Sequence, residues 1–169
     1  MPLPIVMRDI VLDGESLKIR DVVETGLGGT TVYLSDNARK RMEISRLGID
    51  HILESGETTY GINTGFGALS SVSIGSDKLE ALQVNLIRSH ACGIGEEMEN
   101  KHTLMMMLIR ANTLCRGNSG ARPLIVETLI SMINNKICPI IPRIGSLGAS
   151  GDLAPLSHLA MGMMGEGFC

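Results

Sequence analysis

The chain has 169 residues, 44% of them hydrophobic and 20% charged, which is enough apolar material for one buried core and too much for a disordered segment. Fifteen Lys and Arg against 18 Asp and Glu leave a net charge of -3, the cations are scattered, and the aromatic residues are two Tyr and two Phe with no Trp. This balance argues against a nucleic-acid binder, which needs a clustered cationic face and stacking rings.

The opening stretch Met1 to Asp9 lacks the cationic start and long apolar run of a secretory signal, and Pro2 and Pro4 interrupt it. The longest apolar run, Leu104 to Ile109, is far too short to cross a bilayer. The expectation is a soluble, cytoplasmic protein without membrane contact. Cys92, Cys115, Cys138 and Cys169 lie far apart with no C-x-x-C pair, so buried reduced thiols are expected rather than a zinc ribbon or a redox dithiol.

In chain order, Ile10 to Leu17 holds an Asp13-Gly14 turn between short apolar stretches and reads as a small hairpin-like start. Ser16 offers an alternative, capping a short helix through Val22 and Val23 that Gly26 ends. A helix over 36–55 follows, capped by Ser35 or Asp36 and closed by Gly56, with Gly48 as an imperfection. Between Thr58 and Gly75 the periodicity disappears. Tyr-Gly-Ile-Asn-Thr-Gly-Phe-Gly (60–67) is a shaped loop of the kind that carries function.

Leu79, Leu82, Leu86 and His90 lie three and four apart and predict one face of a helix that ends at Gly93 or Gly95. A second helix should hold Leu104, Met107, Leu108, Ala111, Leu114 and Cys115, and a third Leu124, Ile125, Thr128, Leu129, Met132 and Ile133. Three successive amphipathic helices indicate an all-α, mainly helical core. Met105 to Met107 reads as core filling. Pro139 and Pro142 force an extended segment over 137–144. A Gly-rich turn then feeds a last helix, which Asp152 can cap and whose first turn tolerates Pro155. Gly162, Gly165 and Gly167 give that final stretch a surface suited to packing against elements outside this sequence.

Ala149-Ser150-Gly151 has a particular chemistry open to it. The Gly151 nitrogen can attack the Ala149 carbonyl only if the chain bends sharply, and glycine hinders neither the bend nor the attack. Loss of water from the ring and from the serine hydroxymethyl group would leave an imidazolone bearing a methylidene carbon, an electrophile that no ordinary side chain supplies. Without further context such a tripeptide is a plain turn. Tyr60 by itself reads as a packed amphipathic ring or a proton acceptor, His90 as a hydrogen-bonded core histidine, and Asp152 as a helix cap. His51, His102 and His158 show no metal-ligand spacing, and Gly145, Gly148 and Gly151 do not follow the spacing of a phosphate loop.

Four blocks, in the same order along the chain, resemble the aromatic amino acid ammonia-lyases, and within them the histidine-type members. They are Tyr60 to Gly67, Asn85 to Gly95, Arg110 to Gly117 and Gly145 to Ala160. The resemblance implies the N-terminal domain of the histidase/aspartase-like fold, with Gly-rich active-site loops. Residues 1–169 would then be a single N-terminal lyase domain lacking the central helix bundle and C-terminal part. It implies that Ala149, Ser150 and Gly151 cyclise autocatalytically to 4-methylideneimidazol-5-one, with no external cofactor and no metal. By the same resemblance Tyr60 is the general base that removes a β-proton, and since a free phenol is mostly protonated at neutral pH the site has to favour phenolate. His90 faces the substrate imidazole, and Asp152 supports ring formation.

The implied reaction is non-oxidative elimination of ammonia from L-histidine to trans-urocanate, in homotetramers or with a complementing C-terminal fragment, and with little activity in this chain alone. The alternatives are a phenylalanine or tyrosine ammonia-lyase, an aminomutase with the same prosthetic group, or a non-catalytic helical remnant.

Overall fold

The computed structural model describes residues 7–67, 70–146 and 148–169. The opening residues 1–6, the loop positions Ala68 and Leu69, and Leu147 of the last Gly-rich block lie outside the described residues. The elements run β1 (Arg8–Leu12), α1 (Ile19–Gly26), β2 (Thr30–Leu34), α2 (Asp36–Ser55), α3 (Ser76–His90), β3 (Ile94–Glu97), α4 (Asn100–Leu114), α5 (Pro123–Asn134), β4 (Pro142–Ile144) and α6 (Leu153–Met163). Helix dominates, and the strands form two small two-stranded sheets.

The expected hairpin start does not form. β1 pairs instead with β2, in parallel, from Arg8 opposite Thr30 to Leu12 opposite Leu34. The Asp13-Gly14 turn is present: the Asp13 carboxylate accepts the amides of Glu15 and Ser16 at 2.8 Å each, and Gly14 takes φ +85°. The turn passes the chain to α1 rather than to a return strand, and a parallel pair requires such a crossover. Nor does Ser16 cap α1. The helix starts after Lys18, whose amide donates to the Asp21 carboxylate at 2.9 Å. On the far edge of β2, the Asn134 side chain stands in for a third strand, accepting from the Val32 amide at 2.8 Å and donating to the Val32 carbonyl at 2.9 Å.

α2 begins and ends where its caps place it. The Ser35 hydroxyl accepts the Ala38 amide at 3.1 Å, and Gly56 closes the helix in the left-handed conformation at φ +70°.

α4 is the centre of the core. Leu104, Met107, Leu108, Ala111, Leu114 and Cys115 are all buried and pack with Ile10, Leu12, Val32, Met42 and Ile141. Each large apolar side chain so removed from water contributes about 1.5–3 kcal/mol. α5 adds Val126, Leu129, Ile130, Met132 and Ile133, while Leu124 faces solvent; the inward stripe of this helix is therefore shifted from the expected one, because Val126 and Ile130 lead it. Of the three consecutive methionines only Met107 is core, and Met105 and Met106 line a cavity.

α3 ends at His90 with Ala91 as its cap, short of the expected Gly93 or Gly95, and its Leu79-Leu82-Leu86-His90 stripe is half-buried. It packs on α6, and Arg88 forks onto Glu166 beyond that helix through bonds of 2.8 and 2.6 Å. Part of the small-residue pattern at the end of the chain is satisfied internally: a Cβ on Gly162 would lie 2.7 Å from Pro139 Cγ, and the Ile140 amide donates to the Phe168 carbonyl at 2.8 Å. The four cysteines are free. Cys115 and Cys138 are buried as expected, with burial pushing the Cys115 thiol up to about 11, whereas Cys92 and Cys169 are exposed.

Among the described residues no helix is long and apolar enough to cross a membrane, and no group of three His, Cys, Asp or Glu side chains converges.

Candidate active site

Tyr60 sits on the Gly-rich loop between α2 and α3, with 63% of its surface exposed and its ring edge-on to Phe66 at 6.0 Å between centroids. The loop is held from inside by two buried polar residues. Asn63 accepts the Thr59 amide and donates to the Glu57 carbonyl, both at 2.8 Å, and Thr64 donates to the Gly65 carbonyl at 2.9 Å. Further bonds from the Gly65 amide to Val72 and from the Ile74 amide to Asn63 close the loop on itself. Gly61 at φ +79° makes the sharp turn after Tyr60 that a side chain would resist. These two anchors were missed by motif reading. An Asn and a Thr inside a glycine-rich stretch are the signal, because short polar side chains bond nearby backbone.

His90 is the last residue of α3. Its Nδ1 lies 2.9 Å from the Leu86 carbonyl and 3.1 Å from the Ser89 hydroxyl. A carbonyl only accepts, so Nδ1 carries the hydrogen and Nε2 of the neutral ring remains an acceptor.

Ala149, Ser150 and Gly151 form a turn between β4 and α6, with Gly148 at φ +82° and Gly151 at φ +71°. Ala149 and Ser150 are exposed. The Ser146 hydroxyl donates to the Gly151 carbonyl, and a Cβ on Gly151 would approach that hydroxyl to 2.7 Å. A left-handed glycine at the end of a tight turn, its nitrogen unhindered by a Cβ, suits ring closure onto the Ala149 carbonyl, so the tripeptide fits the prosthetic group expected of it.

Asp152 occupies the cap position of α6 but does not cap with its side chain. Its carbonyl accepts the Leu156 amide at 3.0 Å, and the residue lines a mainly apolar cavity of about 500 Å³ with Met98, His102, Met106 and Arg110. Pro155 falls in the first turn, as expected.

The antiparallel pairing of β3 with β4, Ile94 opposite Ile144, brings the end of α3 to the strand that leads into the tripeptide. His90 lies four residues before Ile94 and Ala149 five residues after Ile144, so the two segments leave this small sheet from paired strands. Tyr60 stays on its own loop; among the described residues it makes no hydrogen bond to His90 or to the tripeptide. That loop lines a second cleft of about 900 Å³ with α2, α3 and residues 119–122.

A family model describing aromatic amino acid lyases matches residues 17–169. This chain belongs to the aromatic amino acid lyase family. Histidine ammonia-lyase of Staphylococcus saprophyticus is 51% identical over 156 residues, which is 92% of this chain and 31% of that protein. The crystal structure of histidine ammonia-lyase from Trypanosoma cruzi superposes with a TM-score of 0.84 at 42% identity, covering 95% of this chain and 30% of that one. Tyrosine aminomutase from Streptomyces globisporus gives a TM-score of 0.83 at 34% identity, covering 90% and 28%. The chain therefore spans about a third of the length of these aromatic amino acid lyase relatives, and its helical architecture matches a part of their fold.

Proposed function

We propose that residues 1–169 form one N-terminal domain carrying the electrophile-forming and substrate-facing part of a site that eliminates ammonia from L-histidine to give trans-urocanate. The observation that carries this reading is the Ala149–Ser150–Gly151 turn, bracketed by left-handed glycines and tied by the β3/β4 pairing to the helix end that presents His90. The similarity to histidine ammonia-lyases supports it.

The Gly151 nitrogen bonds to the Ala149 carbonyl carbon, whose oxygen leaves as water. Ser150 then loses its hydroxyl with its α-hydrogen as a second water. The resulting 4-methylideneimidazol-5-one supplies an electrophilic carbon that draws electrons from the amino acid and promotes departure of its nitrogen. The Tyr60 phenolate takes the β-proton as the carbon–nitrogen bond breaks and the double bond forms. His90, with its Nε2 lone pair free, accepts the N–H of the substrate imidazole and orients it. Asp152 follows the tripeptide directly and assists the proton movements of ring closure, and the positive end of α6 favours electron withdrawal there.

Tyr60 and Ser150 are exposed, whereas this chemistry benefits from a water-excluded pocket. Cover would come from further helices in a cytoplasmic homotetramer of the complete form or from a complementing C-terminal polypeptide. Exposed Ile44, Leu47, Ile94, Leu124 and Ile144 are apolar surface for such contacts.

A phenylalanine or tyrosine lyase, or an aminomutase, is the second reading, supported by the equal structural likeness to tyrosine aminomutase. His90 favours histidine over phenylalanine, because a phenyl ring has no N–H to donate to it.

The test is the accurate mass of the purified chain with peptide mapping, followed by a urocanate assay on a panel of amino acids. Loss of two waters from the peptide holding 149–151 is expected, with little or no urocanate from the chain alone. An unmodified tripeptide would favour a helical protein without this chemistry, and robust urocanate production would overturn the need for outside cover.

A further inference from the structure

Three pieces of chain far apart in sequence meet behind the tripeptide. A Cβ on Gly145 would lie 3.0 Å from Gly93 Cα and 3.2 Å from Ala154 Cβ, and one on Gly93 would lie 3.1 Å from Pro142 Cβ. Gly145 therefore meets the Gly93 backbone directly, and neither glycine leaves room for a side chain. Gly93 stands one residue before β3, and its amide finds its acceptor on α6: it donates to Nε2 of His158 at 3.0 Å. An amide N–H only donates, so the His158 ring is neutral with its hydrogen on Nδ1. The ring is half-buried, and burial disfavours its charged form.

We propose that His158 is a positioning residue of the site. By accepting the Gly93 hydrogen it fixes the segment following His90 against the strand and turn that present Ala149, Ser150 and Gly151. This rests on the reading of His90 and the tripeptide as parts of one site. The physical argument is preorganisation: ring closure and imidazole recognition both depend on placements that small displacements spoil. The bond joins α3's exit to α6, and Gly145 at β4's exit packs on that same Gly93, so an acceptor on α6 that holds Gly93 also holds what rests on it.

The test is hydrogen–deuterium exchange by mass spectrometry on the full 169-residue chain, comparing the unsubstituted protein with His158→Leu, His158→Asn and His158→Gln, with the mass of the 149–151 peptide read on the same samples. His158→Leu should speed exchange about fivefold in both the 91–97 and 142–151 segments, the size expected for loss of one hydrogen bond. It should also lower the fraction of chains that have lost two waters. His158→Gln, whose carboxamide oxygen reaches the Nε2 position, should restore both readouts; His158→Asn, one methylene shorter, should not.

Unchanged exchange in His158→Leu, loosening confined to 91–97, or failure of Gln to rescue would overturn the proposal. If His158→Leu loosens α4 as well, the Asn and Gln pair decides, since α4 should stay protected in both while only Asn loosens the two segments. An unmodified mass in the unsubstituted chain counts against the functional reading, and the exchange comparison still decides His158.

Discussion

Asn63 and Thr59 are bonded twice, with Tyr60 on the stretch between them. The Asn63 side-chain oxygen accepts the Thr59 amide at 2.8 Å, and the Asn63 amide donates to the Thr59 carbonyl at 3.3 Å. The same carboxamide donates to Glu57. One buried side chain thus sets the path of the loop and leaves the phenol of Tyr60 facing outward.

Asn63→Ala leaves the Thr59 amide and the Glu57 carbonyl without these partners and should cost about 1–3 kcal/mol. Asn63→Asp keeps the acceptor and loses the donor, so it should fall between. Urea unfolding midpoints order the three proteins, and an Ala variant as stable as the parent would contradict this account of the loop.

Under the proposed ring formation, Ser150→Ala removes the hydroxyl that would leave as the second water. Ser150 is exposed, so the fold should be unaffected while the 149–151 peptide loses at most the one water of ring closure. Gly151→Ala should also suppress the water loss: φ +71° costs a residue with a Cβ about 1–2 kcal/mol, and the new methyl crowds the Ser146 hydroxyl. Circular dichroism together with peptide mass separates the two effects.

Asp13 gives the chain an acid-sensitive turn. Amides of Ser16 and Glu15, the larger contribution coming from Ser16, hold its carboxyl at about 2, below the ordinary 3.8. A carboxylate lowered on folding stabilises the native state above its unfolded value, and that contribution is lost as pH falls from about 4 through about 2. Asp13→Asn should therefore flatten the dependence of the unfolding midpoint on pH in that window, while the parent loses stability across it.

Met107 and Ile109 lie two residues apart on α4 and face opposite ways, the first fully buried and the second half-exposed. Met107→Ala should cost about 2–5 kcal/mol, and Ile109→Ala far less. Similar losses at both positions would mean that the inward face of α4 is misassigned.

The features legible in advance were those written within a few residues of one another. The Ser35 cap, the Gly56 stop and the buried stripe of α4 depend on neighbours three or four positions away, so periodicity and residue type were sufficient. Val126 and Ile130 were less legible because α5 is apolar on most sides, and only contact with β2 and α4 selects the inward face. The Ser16 cap failed since Asp21 reaches back to the Lys18 amide and starts the helix later.

The sequence by itself determined which chemistry to propose for the chain: Ala149-Ser150-Gly151 after Gly148, Tyr60 in a glycine-rich loop and His90 in a helical stripe are local patterns that can be read from residue type and spacing. Only the tertiary structure decided that β1 pairs with β2 across α1 rather than folding back as a hairpin, and that the strand after His90 pairs with the strand that leads into the tripeptide. It likewise decided that His158, which has no metal-ligand spacing in the sequence, accepts the Gly93 amide hydrogen. Each of these pairings joins groups that no periodicity relates, and each is chosen by which backbone edge or amide lacks a partner after the helices have packed.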